Sequence, residues 1–185
     1  MNKSIREILD YELGRNSCSY KQFILDILIP SSSSFIRALR LYEGIKKRHG
    51  LLFILVEIYY KRISCLTGLT VPPYTCERGL TLYHYGSIVI NPAAKIGKNC
   101  CIMNNVNIGA NGGSDKAPTI GNDVYIGPGA VLFGDIEIAD GCYIGANAVV
   151  NKSFTQKNSI IAGIPAKIIK TDTEVWWKKN KLERD

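Results

Sequence analysis

Aliphatic residues recur at every sixth position along the second half of this chain. From Ile90 to Val150 the gaps between them are six residues, apart from one gap of twelve, and Gly or Asn comes directly after seven of the ten. Gly and Asn tolerate turn conformations. The aliphatic positions are Ile90, Ile96, Ile102, Ile108, Ile120, Ile126, Leu132, Ile138, Ile144 and Val150.

A helix with 3.6 residues per turn cannot produce a strict period of six, whereas two-residue strand alternation interrupted by turns can. The repeat therefore predicts a coil of very short strands that bond to one another through their backbones. A second column of small or aliphatic residues lies four positions after most members of the first, and we expect both columns inside a narrow prism. The second column contains Ala94, Cys100, Val106, Val124, Ala130, Ile136, Cys142 and Ala148.

The first 65 residues have a helical pattern instead. We predict helices over 4–14, 19–29, 33–49 and 51–65, with Pro30 and Gly50 as breaks. The sequence thus predicts an α+β protein with a helical N-terminal region over 1–67, a parallel β-helix over 68–170 and a C-terminal tail over 171–185.

Composition restricts the possible partners. The net charge is +7, but residues 69–164 hold six basic and six acidic residues, while residues 1–68 hold eleven against six. No stripe of aromatic residues accompanies the basic ones, which argues against nucleic-acid binding. The basic helical flank near Lys46, Lys47, Arg48, Lys61 and Arg62 is typical of a solvated helix face, and it leaves peripheral contact with a membrane surface or an anionic intermediate open. No transmembrane segment or secretory signal is expected, and we predict a cytoplasmic protein.

Cysteine and histidine usage argues against a metal centre. The six cysteines form no CxxC pair, so we expect them to be reduced and mostly structural. The only histidines are His49 and His84. A zinc enzyme of the γ-type carbonic anhydrase kind, which needs three histidine ligands, is therefore nearly excluded, and no metal is expected.

Three segments carry a resemblance to a known family: HYGSIVINPAAKIGKN, IGPGAVLFGDIEIADGCYIGANAVVNKS and AGIPAKII. They resemble the hexapeptide-repeat acyltransferase superfamily, and within it the serine acetyltransferases and their polysaccharide O-acetyltransferase relatives. The resemblance implies a left-handed coil of triangular section, acetyl-CoA as the acyl donor, and a homotrimer or a dimer of trimers.

His84 is the candidate general base. Acetyl transfer to a hydroxyl requires removal of its proton, and a neutral imidazole suits that task near pH 7. In the family the catalytic His stands just before an IVI-type strand, as His84 does. Counting back six residues from Ile90 nevertheless puts His84 in the inward column, which would bury it. The family's orienting acid is absent because Tyr83 precedes His84, so Glu77 is only a weak candidate for that role.

The twelve-residue gap between Ile108 and Ile120 indicates a loop that leaves the prism. Long loops on rigid scaffolds often carry function, and the family's loop closes over a cleft between subunits. In this loop Ala117 occupies the place of the family's second His, and Lys116 the place of an Arg that binds the carboxylate of serine. The candidate acceptor contacts are Tyr83, Tyr85, Asn111, Ser114, Asp115 and Lys116.

The resemblance also assigns candidate acetyl-CoA contacts along the same cleft. Backbone contacts are expected at Gly109, Ala110, Pro128 and Ala146, and contacts to the phosphates at Lys152 and Lys167. Neither a Walker motif nor GxGxxG is present, so nucleotide chemistry is not expected.

These features favour an acetyl-CoA-dependent O-acetyltransferase of the serine acetyltransferase type. Two alternatives stay open: O-acetylation of a sugar hydroxyl in capsule or O-antigen biosynthesis, and a non-catalytic β-helix scaffold.

Overall fold

A computed structural model describes residues 3–13, 20–45, 50–174 and 177. His49 therefore lies outside the described residues. Four helices come first: α1 (Lys3–Leu13), α2 (Tyr20–Leu28), α3 (Ser32–Ile45) and α4 (Leu51–Thr67). They fall on the four predicted helical segments. No helix in the described part of the chain has the length and apolar character to cross a bilayer.

Fourteen short strands follow the helices. They are β1 (Leu69–Thr70), β2 (Thr81–Leu82), β3 (Ile88–Ile90), β4 (Lys95–Ile96), β5 (Cys101–Ile102), β6 (Asn107–Gly109), β7 (Thr119–Ile120), β8 (Tyr125–Ile126), β9 (Val131–Phe133), β10 (Glu137–Ile138), β11 (Tyr143–Ile144), β12 (Val149–Val150), β13 (Ile160–Gly163) and β14 (Ala166–Lys170).

The strands form three sheets. Sheet 1 has the order β1-β3-β6-β9-β12, sheet 2 the order β4-β7-β10, and sheet 3 the order β2-β5-β8-β11-β13-β14. From β2 to β12 the chain visits sheets 3, 1 and 2 in turn, and every pairing is parallel until the closing β13–β14 hairpin. This is a three-sided coil.

The coil has three corners. The His84 corner, between sheets 3 and 1, contains residues 83–87, 103–106, 127–130 and 145–148. The loop corner, between sheets 1 and 2, contains residues 91–94, 110–118, 134–136 and 151–153. The third corner, between sheets 2 and 3, contains residues 77–80, 97–100, 121–124 and 139–142.

Both predicted columns line the interior of the prism. Every member of the aliphatic and small-residue columns is buried, and Ile102, Ile108 and Leu132 are fully inaccessible. The register explains this, because equivalent positions stack along each sheet, as in Ile96↔Ile120 and Ile138↔Ile120. The prediction of a six-residue coil is confirmed.

The glycines that follow the aliphatic residues serve close approach rather than turn conformation. A Cβ on Gly97 would lie 2.7 Å from the carbonyl carbon of Gly121 in the next rung, so only glycine fits there. The left-handed backbone occurs instead just before the small column, as at Asn99 (φ 58°) and Asn147 (φ 55°). The expectation that these glycines supply the turn conformation is wrong for Gly97.

The helices are held to the first rung by one buried ion pair. Arg40 Nη2 donates to Glu12 Oε1 at 2.7 Å and to the carbonyl oxygen of Glu77 at 2.8 Å, while Arg40 Nη1 donates to the carbonyl oxygen of Cys76 at 3.0 Å. Glu12 Oε1 also accepts the backbone N–H of Gly79 at 2.7 Å. Helices α1 and α3 are thereby connected to the start of the prism.

Candidate functional site

His84 lies outside the prism, in the turn between β2 and β3, and its side chain is exposed. The inward position of its rung is taken by Leu82, which is 5% exposed and pairs with Ile102. The count that put His84 in the inward column is therefore wrong. The reason is an irregular first rung: Leu82 and Ile102 are twenty residues apart, whereas Val89 and Asn107 are eighteen apart.

The extra length falls in the turn that carries His84. The inward residues on either side of this turn, Leu82 and Ile90, are eight residues apart, whereas their partners Ile102 and Ile108 are six apart. Gly86 adopts φ 133°, which favours glycine, and its N–H donates to the carbonyl oxygen of Thr67 at 2.9 Å. The end of α4 thus fixes the turn.

Two tyrosines flank His84. Tyr83 is 39% and Tyr85 66% exposed. Tyr83 lies on the sheet 3 side, where it is one of the residues that raise the pKa of Tyr125. Burial first, then Tyr143, Cys101 and Tyr83, raise the pKa of Tyr125 to about 12. His84 is therefore an exposed residue with an exposed tyrosine on either side of it in the chain.

Glu77 is not placed to orient His84. Its carboxylate is 3.9 Å from Lys98 Nζ, and both side chains are exposed. Glu77 lies at the third corner, directly after the bridge of Cys76 to Ile96 in sheet 2, so the side formed by sheet 3 separates it from His84. The geometry gives Glu77 a surface ion pair.

The His84 corner carries no carboxylate of its own in any rung. Within residues 69–164, all of which the structure describes, the acids lie at the third corner, at the loop corner or on sheet 2. They are Glu77, Asp115, Asp123, Asp135, Glu137 and Asp140.

The predicted loop leaves the prism between β6 and β7. It adds six residues, because Asn107 pairs with Val131 twenty-four positions later and Val131 with Val149 only eighteen later. The loop folds onto the next rung: Lys116 Nζ is 2.5 Å from Asp135 Oδ2, and a Cβ on Gly134 would lie 2.9 Å from Asn111 Nδ2.

Hydrogen bonds also form within the loop. Ser114 Oγ accepts the N–H of Lys116 at 3.1 Å, and the carbonyl oxygen of Asn111 accepts the N–H of Ser114 at 3.0 Å. Asp115 is exposed, whereas Ala117 is only 7% exposed. Asn111, Ser114, Asp115 and Lys116 therefore lie together on the surface at the loop corner.

The candidate acetyl-CoA contacts divide between two corners. Pro128 and Ala146 lie at the His84 corner, and Lys167 lies near it in β14, paired with Ala162. Gly109 and Ala110 begin the loop, and Lys152 Nζ lies 5.6 Å from the Phe154 ring at the loop corner. Among the described residues, no three His, Cys, Asp or Glu side chains converge as a metal site would require.

Sheet 1 separates these two groups within one copy of the chain. Its strands are at most three residues long, so this side is roughly 10 Å across. The outer face of sheet 1 is mostly apolar: Val89 is 42% exposed, Val131, Phe133 and Val149 are partly exposed, and the exposed polar residues are Thr70 and Asn107. Within one copy, His84 and the loop residues therefore lie at different corners of the prism.

Sequence reasoning missed the aromatic cover of sheet 3. Trp177 is 3% exposed and packs against Tyr125 and Tyr143, whose rings stack at 4.6 Å. Its Nε1 donates to the carbonyl oxygen of Asp123 at 3.1 Å. The eighteen-residue spacing of the two tyrosines was the available signal for this cluster.

Comparison with known proteins agrees with this architecture. The family model described as bacterial transferase hexapeptide (six repeats) matches residues 117–152. Serine acetyltransferase from Mycobacterium tuberculosis is 34% identical over 107 residues, which cover 56% of this chain and 46% of that protein. The Bacillus pumilus enzyme is 28% identical over 170 residues, which cover 90% and 76%. The chain thus spans less than half of the M. tuberculosis relative.

Solved structures extend the likeness to the helices. Soybean serine acetyltransferase apoenzyme superposes with a TM-score of 0.72 at 26% identity, covering 91% of this chain and 70% of that one. Serine acetyltransferase from Brucella abortus in complex with coenzyme A gives 0.70 at 28% identity, covering 92% and 68%. The chain is therefore similar to serine acetyltransferases through both its helices and its coil, and residues 117–152 match the hexapeptide transferase model.

Proposed function

We propose that this protein is an acetyl-CoA-dependent serine O-acetyltransferase in which His84 is the general base. The observation that carries the proposal is the lengthened turn 83–87, which holds an exposed imidazole at the edge of sheet 1 in a chain that is serine acetyltransferase-like. A scaffold without chemistry would not require a histidine on the irregular turn of an otherwise regular coil.

The reaction follows from the chemistry of the imidazole. Neutral His84 accepts the proton of the serine hydroxyl while that oxygen attacks the thioester carbonyl carbon. The tetrahedral intermediate collapses with cleavage of the C–S bond. The imidazolium of His84 then returns the proton to the departing CoA thiolate, which leaves O-acetylserine, CoA and a neutral base.

The site is completed by a second copy of the chain in a homotrimer. The His84 corner and the loop corner flank the same apolar sheet 1, so a neighbour that packs against this face can bring its own loop towards His84. Asp115 of that neighbouring loop is then the candidate partner for the imidazole, since the His84 corner has no acid. A left-handed coil, inferred from the structural relatives, is part of the same proposal.

Acetyl-CoA is proposed to lie in the cleft between the two copies. Pro128, Ala146 and Lys167 would line it from the His84 side, and Gly109, Ala110 and Lys152 from the loop side. The lysines would meet the phosphates, because exposed ammonium groups pair with phosphate as point charges. The relative from Brucella abortus whose structure contains coenzyme A supports this donor.

One contact favours a sugar hydroxyl as a second candidate acceptor. Lys116 Nζ is already paired with Asp135 at 2.5 Å, and the pairing raises the pKa of Lys116. Because Asp135 already balances the positive charge of Lys116, Lys116 attracts the carboxylate of serine less strongly. A sugar acceptor without charge needs no such cation. An acceptor screen with L-serine, nucleotide sugars and oligosaccharides separates these possibilities.

The proposal is tested by replacing His84 with Ala and measuring CoA thiol release from acetyl-CoA in the presence of L-serine. Loss of a general base lowers turnover by roughly 10² to 10⁴. His49→Ala is the matched control, since it removes the other histidine, and it is expected to retain activity.

Circular dichroism of both variants establishes that the fold is kept. Wild-type turnover in a folded His84→Ala protein would refute the assignment of the base. Absence of thiol release by the wild-type protein with every acceptor would favour the scaffold alternative.

A further inference from the structure

Helix α2 directs its carboxylate inward and most of its aliphatic residues outward. Asp26, the only acid of α2, is 1% exposed and pairs with the buried Arg37 of α3 through two contacts of 2.5 and 2.6 Å. Ile24 and Leu28, on either side of it, are 45% and 71% exposed. The ion pair therefore fixes the orientation of α2, and most of its aliphatic surface stays in contact with solvent.

Helix α4 shows a second aliphatic face. It packs against the core through Val56, Tyr60 and Ile63, while Leu51 and Leu55 are 73% and 54% exposed. The Tyr59 hydroxyl of α4 lies 3.4 Å from the Asp26 carboxylate, so α2 and α4 are neighbours. Together they form the apolar helix patch: Ile24, Leu25, Ile27, Leu28, Ile29, Leu51, Leu52, Ile54, Leu55 and Ile58.

The patch is large for a surface exposed to water. Each of its ten side chains is at least 45% exposed, which corresponds to an apolar area on the order of 1,000 Å². The largest apolar patch of an ordinary monomer is about 300–600 Å². Such a surface indicates a docking site for a protein or a membrane.

The charge around the patch distinguishes between these occupants. Residues 1–68 contain eleven basic and six acidic residues, but Arg37 and Arg40 are buried with Asp26, Glu12 and Glu43 as their partners. On α2 and α4, three basic residues, Lys21, Lys61 and Arg62, are exposed, against one partly exposed acid, Glu57, which pairs with Lys61 at 2.8 Å. Two copies meeting through this surface would bring like charges together, whereas an anionic lipid surface would attract it.

The positive charge adjoins the aliphatic face directly. Lys61 and Arg62 follow Ile58 within four residues on α4, and both are exposed. Aliphatic side chains next to Lys and Arg on one helix are the pattern of helices that lie in the lipid interface.

We propose that the apolar helix patch docks on an anionic lipid bilayer, with its aliphatic side chains at the boundary of headgroups and acyl chains and with Lys61 and Arg62 against lipid phosphates. This binding is independent of acetyl transfer at His84, because the patch belongs to α2 and α4 rather than to the prism.

The test is sedimentation of the full chain with vesicles of phosphatidylcholine, with and without phosphatidylglycerol, at low salt. We expect binding to the anionic vesicles, with at least about a tenfold loss of partitioning for Leu55→Ser/Ile58→Ser and for Lys61→Glu/Arg62→Glu. The matched controls are Ile169→Ser, which changes a 67% exposed isoleucine on β14, and Lys95→Glu on sheet 2; both should bind like wild type.

Two results would overturn the proposal. One is equal sedimentation of the wild-type protein and the patch variants. The other is absence of lipid binding by the wild type together with a smaller assembly for Leu55→Ser/Ile58→Ser in light scattering, which would assign the patch to contact between copies.

Discussion

Replacing Glu12 with Gln removes the charge that pairs with Arg40 and keeps the shape of the side chain. Glu12 is fully inaccessible and Arg40 is 5% exposed. Burial alone lowers the pKa of Arg40, but the hydrogen bond and charge of Glu12 outweigh it and hold that pKa above its ordinary value. The variant therefore leaves a buried guanidinium without its main counter-ion.

The expected loss of stability depends on the hydrogen-bond acceptors that remain around Arg40. Removing one partner of a buried ion pair costs about 3–5 kcal/mol. Glu43 at 2.8 Å and the carbonyl oxygens of Cys76 and Glu77 still accept from Arg40, so the lower end applies, about 3 kcal/mol. For a chain of this size that corresponds to a fall in Tm of about 6–12 °C.

The assay is thermal unfolding followed by far-ultraviolet circular dichroism at one fixed protein concentration, because assembly makes Tm depend on concentration. Glu57→Gln is the matched control: it breaks the pair with the exposed Lys61 at 2.8 Å, which contributes little to stability because water screens it. If Glu12→Gln lowers Tm no more than Glu57→Gln does, the ion pair does not hold the helices to the prism.

Two further predictions concern the prism. Trp177→Ala should lower the free energy of unfolding by about 3–5 kcal/mol, because it uncovers Tyr125 and Tyr143; urea unfolding measures this, and an effect no larger than that of Ile169→Ala would contradict it. The pKa of Asp140 lies below its ordinary 3.8, first because Lys157 bonds it at 2.8 Å and then because the Asn122 N–H does. Because the pKa of Asp140 is lower in the folded state than in the unfolded state, ionised Asp140 stabilises the fold. This stabilisation is fully present well above pH 3.8 and is lost as pH falls through the folded-state pKa. The unfolding free energies of wild type and Asp140→Asn should therefore differ at about pH 6 and converge towards about pH 3; a difference that stays constant across this range would refute the linkage.

The coil was predictable because a strict period of six fits short strands joined by turns and does not fit a helix. Each rung buries the same two columns. The sequence therefore predicts that Ile96, Ile120 and Ile138 occupy equivalent buried positions, as they do in sheet 2. Irregular segments of the coil do not follow the six-residue period, so the period cannot predict them. Two extra residues between Leu82 and Ile90 interrupt the six-residue period and place His84 outside the prism. Counting back six residues from Ile90 therefore pointed to His84, rather than Leu82, as the inward residue.

Contacts between distant parts of the chain were also beyond sequence reasoning. Glu12 and Arg40 are twenty-eight residues apart, and Glu12 meets Gly79 sixty-seven residues away. Trp177 reaches Asp123 across fifty-four residues. Such pairs depend on how the helices and the C-terminal segment pack, which no periodic pattern encodes.

The most direct test of a site shared between copies is subunit mixing. His84→Ala lacks the base and Lys116→Ala lacks the loop cation, and each variant alone should be weakly active. In trimers formed at random from equal amounts of both, a site regains a wild-type base and a wild-type loop with a probability of about one quarter. We predict that unfolding and refolding the mixture restores about a quarter of wild-type thiol release with L-serine; activity no higher than the mean of the two variants would contradict a site built from two copies.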